Sequence, residues 1–133
     1  MCFGTCPAYR LRIDRAGLVV FEPRGHTKVS APVRYTVASW VFDSLALHLS
    51  RIGFSRLPDN IEESALCSSS ATDHPTVIVS LFGTSAKRVV YYTGCKTEAL
   101  DKTTSAPVAL GQFAAGMDSL TGAHRLIRPD GIQ

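Results

Sequence analysis

The stretch YRLRIDRAGLVVFE, from Tyr9 to Glu22, decides the first element of the fold. In its first half, apolar and charged residues alternate with the period of two that is typical of a half-buried β-strand. Asp14 then opens a turn that ends at Gly17, a residue able to adopt a positive φ. The apolar run that follows returns as a second strand, so the stretch predicts an antiparallel hairpin. After a break at residues 23–25, residues 26–30 are expected to form a short third strand.

Beyond residue 36 the apolar residues change their spacing from two to steps of three and four. Such spacing places them on one face of an amphipathic helix. Thr36 is a suitable N-terminal cap, and Gly53 stands where a left-handed C-terminal residue is favoured. The residues on this apolar face are Val37, Trp40, Val41, Leu45, His48, Leu49 and Ile52.

The second half of the chain repeats this plan. The stretches TVIVSLF at residues 76–82 and KRVVYY at residues 87–92 predict a second hairpin around a turn. A second helix is expected from a cap at Ser105 to Leu120. Between the first helix and this hairpin, residues 58–73 are expected to form a long loop without apolar anchors.

A hairpin followed by a helix, occurring twice, predicts an α+β fold. We expect an antiparallel sheet of four to five strands with both helices on one face. Residues 1–124 are expected to form a single domain, and residues 125–133 a C-terminal tail. The expected core residues are Leu11, Ile13, Val20, Trp40, Leu45, Leu49, Phe54, Val77, Val79, Val90, Phe113 and Leu120.

The composition of the 133 residues is that of an ordinary globular chain, with 45% hydrophobic and 19% charged residues. This apolar fraction excludes intrinsic disorder, and no apolar run approaches the ~20 residues that a membrane-spanning helix requires. The net charge is +3. The one loose group of arginines is interrupted by Asp14 and Glu22 and has no interleaved aromatic residues, which argues against nucleic-acid binding. These arginines are Arg10, Arg12, Arg15, Arg24 and Arg34.

Four cysteines permit three disulfide connectivities. The second predicted hairpin favours one pair, because the end of its second strand lies beside the start of its first. Cys95 leaves the sheet where the loop that carries Cys67 enters it, so their Cα atoms can approach the ~5.5 Å that a disulfide requires. We therefore predict a Cys67–Cys95 disulfide, which implies an oxidising compartment. Four reduced cysteines, two of them buried as small apolar residues, are the alternative.

The first residues of the chain carry a family resemblance. Cys2, Phe3, Gly4, Thr5, Cys6 and Pro7, followed by Tyr9, resemble the Cys-aromatic-Gly-Thr-Cys-Pro-x-Tyr opening of a family of bacterial domains of unknown function. Shorter matches continue at Gly17, Gly53-Phe54, Thr72-Asp73-x-Pro75 and Met117-Asp118. The resemblance implies a fold but no reaction, and an exported or lipoprotein-like context. Because family members have a strand ahead of the motif, we expect an upstream part, including a signal peptide, to be missing here.

The opening motif and Asp73 form a candidate functional loop. The spacing of Cys2 and Cys6 matches neither thioredoxin-like sites nor common zinc motifs, so a structural disulfide or two buried thiols explain it more simply. Asp73 is interpreted as a turn residue rather than the partner of His74 in a catalytic dyad, since neighbours at a strand entry point to opposite sides. Lys87 is expected on an open turn, where its amine stays protonated. No catalytic residue, metal site or cofactor is predicted.

Two functions of different classes remain. The first is a non-enzymatic, extracytoplasmic binding or interaction domain, in which the uncovered face of the sheet or the long loop contacts a protein or a small ligand. The second is a thiol-based redox or metal-binding activity centred on Cys2 and Cys6. Free, fast-reacting thiols would favour the second, whereas sulfurs that react only after reduction would favour the first.

Overall fold

The computed structural model of the chain describes residues 6–67, 69–72, 74–83, 85–96 and 106–127. These residues belong to two compact units. The N-terminal unit comprises residues 6–47 and 115–127, and the central unit comprises the described residues from 48 to 114. Helices α1 (Trp40–Arg51) and α2 (Ala106–Leu120) each contribute residues to both units. The single domain expected over residues 1–124 stays a prediction.

The N-terminal unit contains a three-stranded antiparallel sheet in the order β1-β2-β3, with β1 at Ala8–Ile13, β2 at Leu18–Gly25 and β3 at Val33–Thr36. The first predicted hairpin is therefore confirmed. Its turn requires Gly17, which has a left-handed φ of 93°. A Cβ added to this glycine would lie 2.2 Å from the carbonyl oxygen of Val37, so no other residue fits the turn without a backbone shift.

The third strand lies at Val33–Thr36 and not at residues 26–30, so that prediction is wrong. His26 has a φ of 56°, and this left-handed conformation ends the extended chain directly after β2. The N–H groups of residues 28 and 29 donate to carbonyl oxygens of helix α3 (His124–Ile127) at 3.1 and 3.4 Å. Because these N–H groups already have helical partners, the segment has no need of a strand ladder.

The core of the N-terminal unit forms around β2 and α3. Phe21 is fully buried and packs with Ala123 and Ile127. The sequence predicts Val20 as the core residue instead, but Val20 is only half-buried. A run of consecutive apolar residues does not reveal which alternate positions face inward. The first residues of the predicted tail at 125–133 belong to α3, which contributes to this core.

Both long helices are confirmed, but α1 begins at Trp40 and not after a cap at Thr36, which is the last residue of β3. Leu45 and Leu49 in α1 and Phe113 in α2 are buried, as expected. Trp40 and Leu120, also expected in the core, are 58% and 43% exposed, so these two predictions are wrong. Each is the terminal residue of its helix, where one neighbouring turn is missing. None of the described helices is long and apolar enough to cross a membrane.

The central unit contains the second predicted hairpin, β5 (Thr76–Phe82) with β6 (Ala86–Tyr92), and a short ladder between β4 (Ser69–Ser70) and β7 (Cys95–Lys96). The α+β class with antiparallel strands is confirmed. In the described part of the chain, the strands expected in one sheet are instead divided among three separate sheets. A loop segment at Asn60 bridges to the far edge of β6, so a loop occupies the place where the next strand would pair. The placement of both helices on one face stays a prediction.

The long loop before β5 is held more firmly than the sequence predicts. Ile61 is fully buried, and its N–H donates to the carbonyl oxygen of Val90 at 2.9 Å. The expectation of a loop without apolar anchors is therefore wrong. A single apolar residue among polar ones produces no periodic signal, which explains why sequence inspection overlooks it.

Candidate functional site

The candidate functional loop expected from the opening motif falls mostly outside the described residues. Cys6 and Pro7 are described and lie directly before β1. Cys6 is half-buried and disulfide-bonded, whereas Pro7 is exposed. The other residues of the predicted loop, which lie outside the described ranges, are Cys2, Phe3, Gly4, Thr5 and Asp73.

Tyr9, the last residue of the opening motif, connects β1 to the end of α2. Its hydroxyl donates a hydrogen bond to Oδ2 of Asp118 at 2.5 Å. Its ring stacks on Phe21, with the ring centroids 5.4 Å apart. Packing on one side and a short hydrogen bond to a carboxyl group on the other hold the tyrosine in one orientation.

The electrostatic environment of Asp118 differs from that of a surface carboxylate. Burial raises the pKa of Asp118, whereas the hydrogen bond from Tyr9 and the nearby His124 lower it. Tyr35 donates to the carbonyl oxygen of Thr121 at 2.9 Å, and burial raises the pKa of this tyrosine too. The end of α2 thus carries a partly desolvated carboxyl group among tyrosine hydroxyls. Such a group can hold or release a proton and can fix the strand against the helix.

The Cys67–Cys95 disulfide lies at the base of the second hairpin. The two Cα atoms are 5.5 Å apart, and Cys95 is buried while Cys67 is half-buried. The β4–β7 ladder pairs Ser70 with Cys95, which aligns the incoming loop with the outgoing strand. The Ser70 hydroxyl also donates to Oε2 of Glu62 at 2.8 Å. The loop is therefore attached to the outgoing strand by a covalent bond and a backbone ladder, and the hydrogen bond between Ser70 and Glu62 joins two parts of the loop itself.

The second hairpin has one packed face and one exposed face. Val79, Val89 and Tyr91 are buried on the packed face. On the opposite face Ile78 is 51% exposed and Phe82 is 70% exposed. We call the residues of this second face, which alternate with the buried ones, the outer face of β5–β6. Two large apolar side chains exposed on the same face of a sheet leave that face available for contact with a partner.

Lys87, expected on an open turn, lies instead within β6 and is half-buried. Its Nζ donates to the carbonyl oxygen of Leu57 at 2.6 Å and to Oδ1 of Asp59 at 2.8 Å. The expectation of an open lysine is therefore wrong, and the side chain has a structural role in fastening the loop to the hairpin. Beside this ion pair lies a shallow depression of about 480 Å³, which also touches Arg88.

The described residues contain no group of His, Cys, Asp and Glu side chains arranged to hold a metal ion. The Tyr9–Asp118 contact is the feature that reasoning from the chain's own residues misses. Its only signal in the sequence is that Tyr9 ends the opening motif and that Asp118 lies in one of the short stretches that resemble the same family. Spacing along the chain carries no information about a contact across 109 residues.

Comparison with known proteins places the chain in a family. A family model described as Domain of unknown function (DUF6438) matches residues 1–107, which include the opening motif, both hairpins and the two cysteines of the loop disulfide. Asp118 lies beyond the matched residues. No curated protein and no solved structure matches the chain.

Proposed function

This chain belongs to the family described as Domain of unknown function (DUF6438), and we propose that it is a non-enzymatic binding domain of an extracytoplasmic compartment. The single observation that carries the proposal is the outer face of β5–β6. There a half-solvated sheet presents Phe82 and Ile78 to the surroundings. The partner is proposed to be a protein with a complementary apolar surface.

The chemistry of the outer face suits protein recognition. Opposite Ser80 in the register stands Arg88, so a cation lies between the two large apolar side chains. Aromatic residues and arginine are the types that contribute most to protein interfaces. Complete burial of a phenylalanine side chain contributes about 2–3 kcal/mol. With 70% of Phe82 exposed, covering it would contribute about 1–2 kcal/mol, which corresponds to about a tenfold gain in affinity.

The proposed compartment is supported by the disulfide between Cys67 and Cys95. Disulfides persist in secreted and periplasmic proteins, whereas cytosolic reductants keep most thiols reduced. A bacterial, exported protein is also what the cysteine-motif resemblance implies.

Photocrosslinking with a matched control tests the binding role. A benzophenone amino acid is placed at Phe82 and, as the control, at Leu47, which is 51% exposed on α1. In cells that produce the full chain, we expect an adduct to one protein from position 82 only. That protein, purified, should bind the Phe82→Ser variant about tenfold more weakly, with Leu47→Ser unchanged. Identical adducts from both positions, or equal affinities of the two variants, would contradict the proposal.

A thiol-based activity centred on Cys2 and Cys6 is the second candidate. The observation that favours it is that Cys6 is disulfide-bonded and half-buried, so an exchanging thiol could reach its sulfur. Titration of the native protein with a thiol reagent, before and after a mild dithiol reductant, separates the two functions. A fast-reacting pair with Cys6 as the modified residue favours redox chemistry. Sulfurs that react only after strong reduction favour the binding domain.

A further inference from the structure

No described strand pairs with the edge of β5 that faces away from β6, since β6 is the only described strand that pairs with β5. The sequence of β5, TVIVSLF, contains no charge, no proline and no glycine. Strand edges of this kind readily pair with another strand, and natural proteins usually protect them.

The other long strand edges of this molecule are protected. β1 carries Arg10 and Arg12, and β3 carries Arg34. The far edge of β6 is covered by the loop, because Val90 donates to the carbonyl oxygen of Asp59 at 2.8 Å and accepts from Ile61 at 2.9 Å. Among the described strands of more than two residues, only β5 has both an edge that no described segment covers and a sequence made entirely of apolar and hydroxyl residues.

The hydrogen-bond pattern shows which backbone groups β5 presents at this edge. Thr93 donates to Pro75 at 3.0 Å, so Pro75 faces the second strand of the hairpin. Val90 bonds to the loop and stands opposite Ile78, so this opposed pair exchanges no hydrogen bonds. In an antiparallel ladder the two kinds of pair alternate. The N–H and C=O groups of residues 76, 78, 80 and 82 therefore point outward from β5.

We propose that two copies of this chain pair through β5, antiparallel and about a twofold axis at Val79. In this register Val79 faces its own copy, and Val77 faces Leu81 of the second copy. Ile78 then stands opposite Ser80, and each of these pairs exchanges both backbone hydrogen bonds through the outward-facing groups. The result is a continuous four-stranded sheet with isologous contacts, as a twofold dimer requires.

The side chains of β5 are complementary to themselves in this register. Val77 and Leu81 are half-buried in the single chain, and each gains an apolar neighbour on the packed face. No like charges meet, because β5 has no charged residue. A peptide of different sequence could satisfy the backbone groups, but the match of Val77 with Leu81 around a central Val79 favours a second copy.

The pairing would also join the outer faces of the two copies into one surface. Only this use of the joined surface rests on the proposed binding function; the pairing itself does not. Because one strand pair buries less area than a standard interface of ~1,600 Å², we expect weak association in the range of about 10–100 μM.

Sedimentation equilibrium of the full chain tests the proposal from about 1 to about 500 μM, which brackets the affinity expected of a small interface. We expect the mass to rise from 14.3 kDa toward twice that value. Ser80→Pro removes one outward-pointing N–H group at an edge position, where proline is tolerated. This variant should associate at least tenfold more weakly than the natural chain. Ser80→Thr, which keeps the N–H group, is the matched control. If Ser80→Pro does not fold, Ile78→Lys, which adds the kind of charge that protects β1, replaces it.

Engineered disulfides test the register. Val79→Cys should form a covalent dimer under mild oxidation, because Val79 faces its copy at a Cα separation of ~4.5 Å in a pair without hydrogen bonds. Ile78→Cys is more exposed but does not face its own copy, so it should crosslink several-fold less. A mass that stays monomeric to about 500 μM, or a stronger crosslink from Ile78→Cys, would overturn the pairing. If the chain stays monomeric but Phe82 still crosslinks to a partner protein, only the proposed pairing is refuted. If the chain dimerises but no partner protein is captured, only the proposed binding function is refuted.

Discussion

Removal of the loop disulfide is the perturbation whose effect follows most directly from the geometry. Cys67 and Cys95 are separated by 28 residues. In the chain-entropy model, closing a ring of that size lowers the entropy of the unfolded state by about 12 cal/mol/K, or about 3.6 kcal/mol at 25 °C. The double variant Cys67→Ser/Cys95→Ser should therefore lose about 3–4 kcal/mol of unfolding free energy. The double substitution is preferred because it leaves no unpaired thiol.

Urea unfolding followed by the fluorescence of Trp40 and by far-ultraviolet circular dichroism measures this loss. For a chain of this size the same loss lowers Tm by roughly 10–20 °C. Reduction of the natural protein should lower its unfolding free energy by a similar amount. Reductant should lower the unfolding free energy of the double variant less, because only the disulfide at Cys6 remains to be reduced there. Mass spectrometry should show the mass of two added hydrogen atoms for each reduced bridge, since the reductant supplies two electrons and the solvent two protons.

Two results would refute this reasoning. If the double variant loses less than about 1 kcal/mol, then the β4–β7 ladder and the buried Ile61 hold the loop without the bond, and the unfolded chain is less free than the model assumes. If alkylation under denaturing conditions labels Cys67 and Cys95 without prior reduction, the bond does not form in the natural protein.

The remaining predictions concern the N-terminal unit and the loop. Burial raises the pKa of Asp118 above its usual 3.8, so the protonated carboxyl group favours the folded state. The stability that this group contributes is complete below the pKa of the unfolded state and is lost as pH rises through the pKa of the folded state. Across this window the unfolding free energy of the natural protein should therefore fall relative to that of Asp118→Asn. Tyr9→Phe removes the hydrogen bond that lowers this pKa, so carbon-13 NMR should show the titration of Asp118 moved to higher pH. Urea unfolding at neutral pH should show a loss of about 1–2 kcal/mol of unfolding free energy. An unchanged titration would mean that the hydrogen bond at 2.5 Å contributes nothing to the pKa. Gly17→Ala places a Cβ against the Val37 carbonyl group and forces a left-handed φ on alanine, so urea unfolding should show a loss of about 3 kcal/mol of unfolding free energy. Gly83→Ala is the control: a Cβ there meets open space, so the unfolding free energy should change by less than about 1 kcal/mol. Ile61→Ala should cost about 2–4 kcal/mol because the side chain is fully buried, and a loss below about 0.5 kcal/mol would show that the loop is held by its hydrogen bonds alone.

The candidate site was only partly accessible to sequence reasoning. The opening motif marks Tyr9, but nothing in the local pattern identifies Asp118 as its partner. The outer face of β5–β6 could be anticipated as an uncovered face, since alternation predicts that every second residue points away from the core. Which side would remain uncovered depends on the loop and on α2, and sequence spacing does not encode that choice.

What the sequence determined by itself is the set of local elements. Two hairpins and two long helices follow from periods of two and of three to four residues, because backbone geometry makes these periods visible along the chain. The Cys67–Cys95 bond follows from the second hairpin in the same way, since antiparallel pairing brings the strand entry beside the strand exit. Each of these inferences depends on residues that are close in sequence or joined by one tight turn.

The tertiary structure alone decided how these elements bury their faces. Phe21 and not Val20 enters the core because Ala123 and Ile127, about a hundred residues later, cover that side of β2. Residues 28 and 29 form no strand because α3 supplies their hydrogen-bond partners. The physical reason is common to both cases. Burial and hydrogen-bond satisfaction are settled between segments distant in sequence, and their free energies exceed the small preferences that a local stretch expresses on its own.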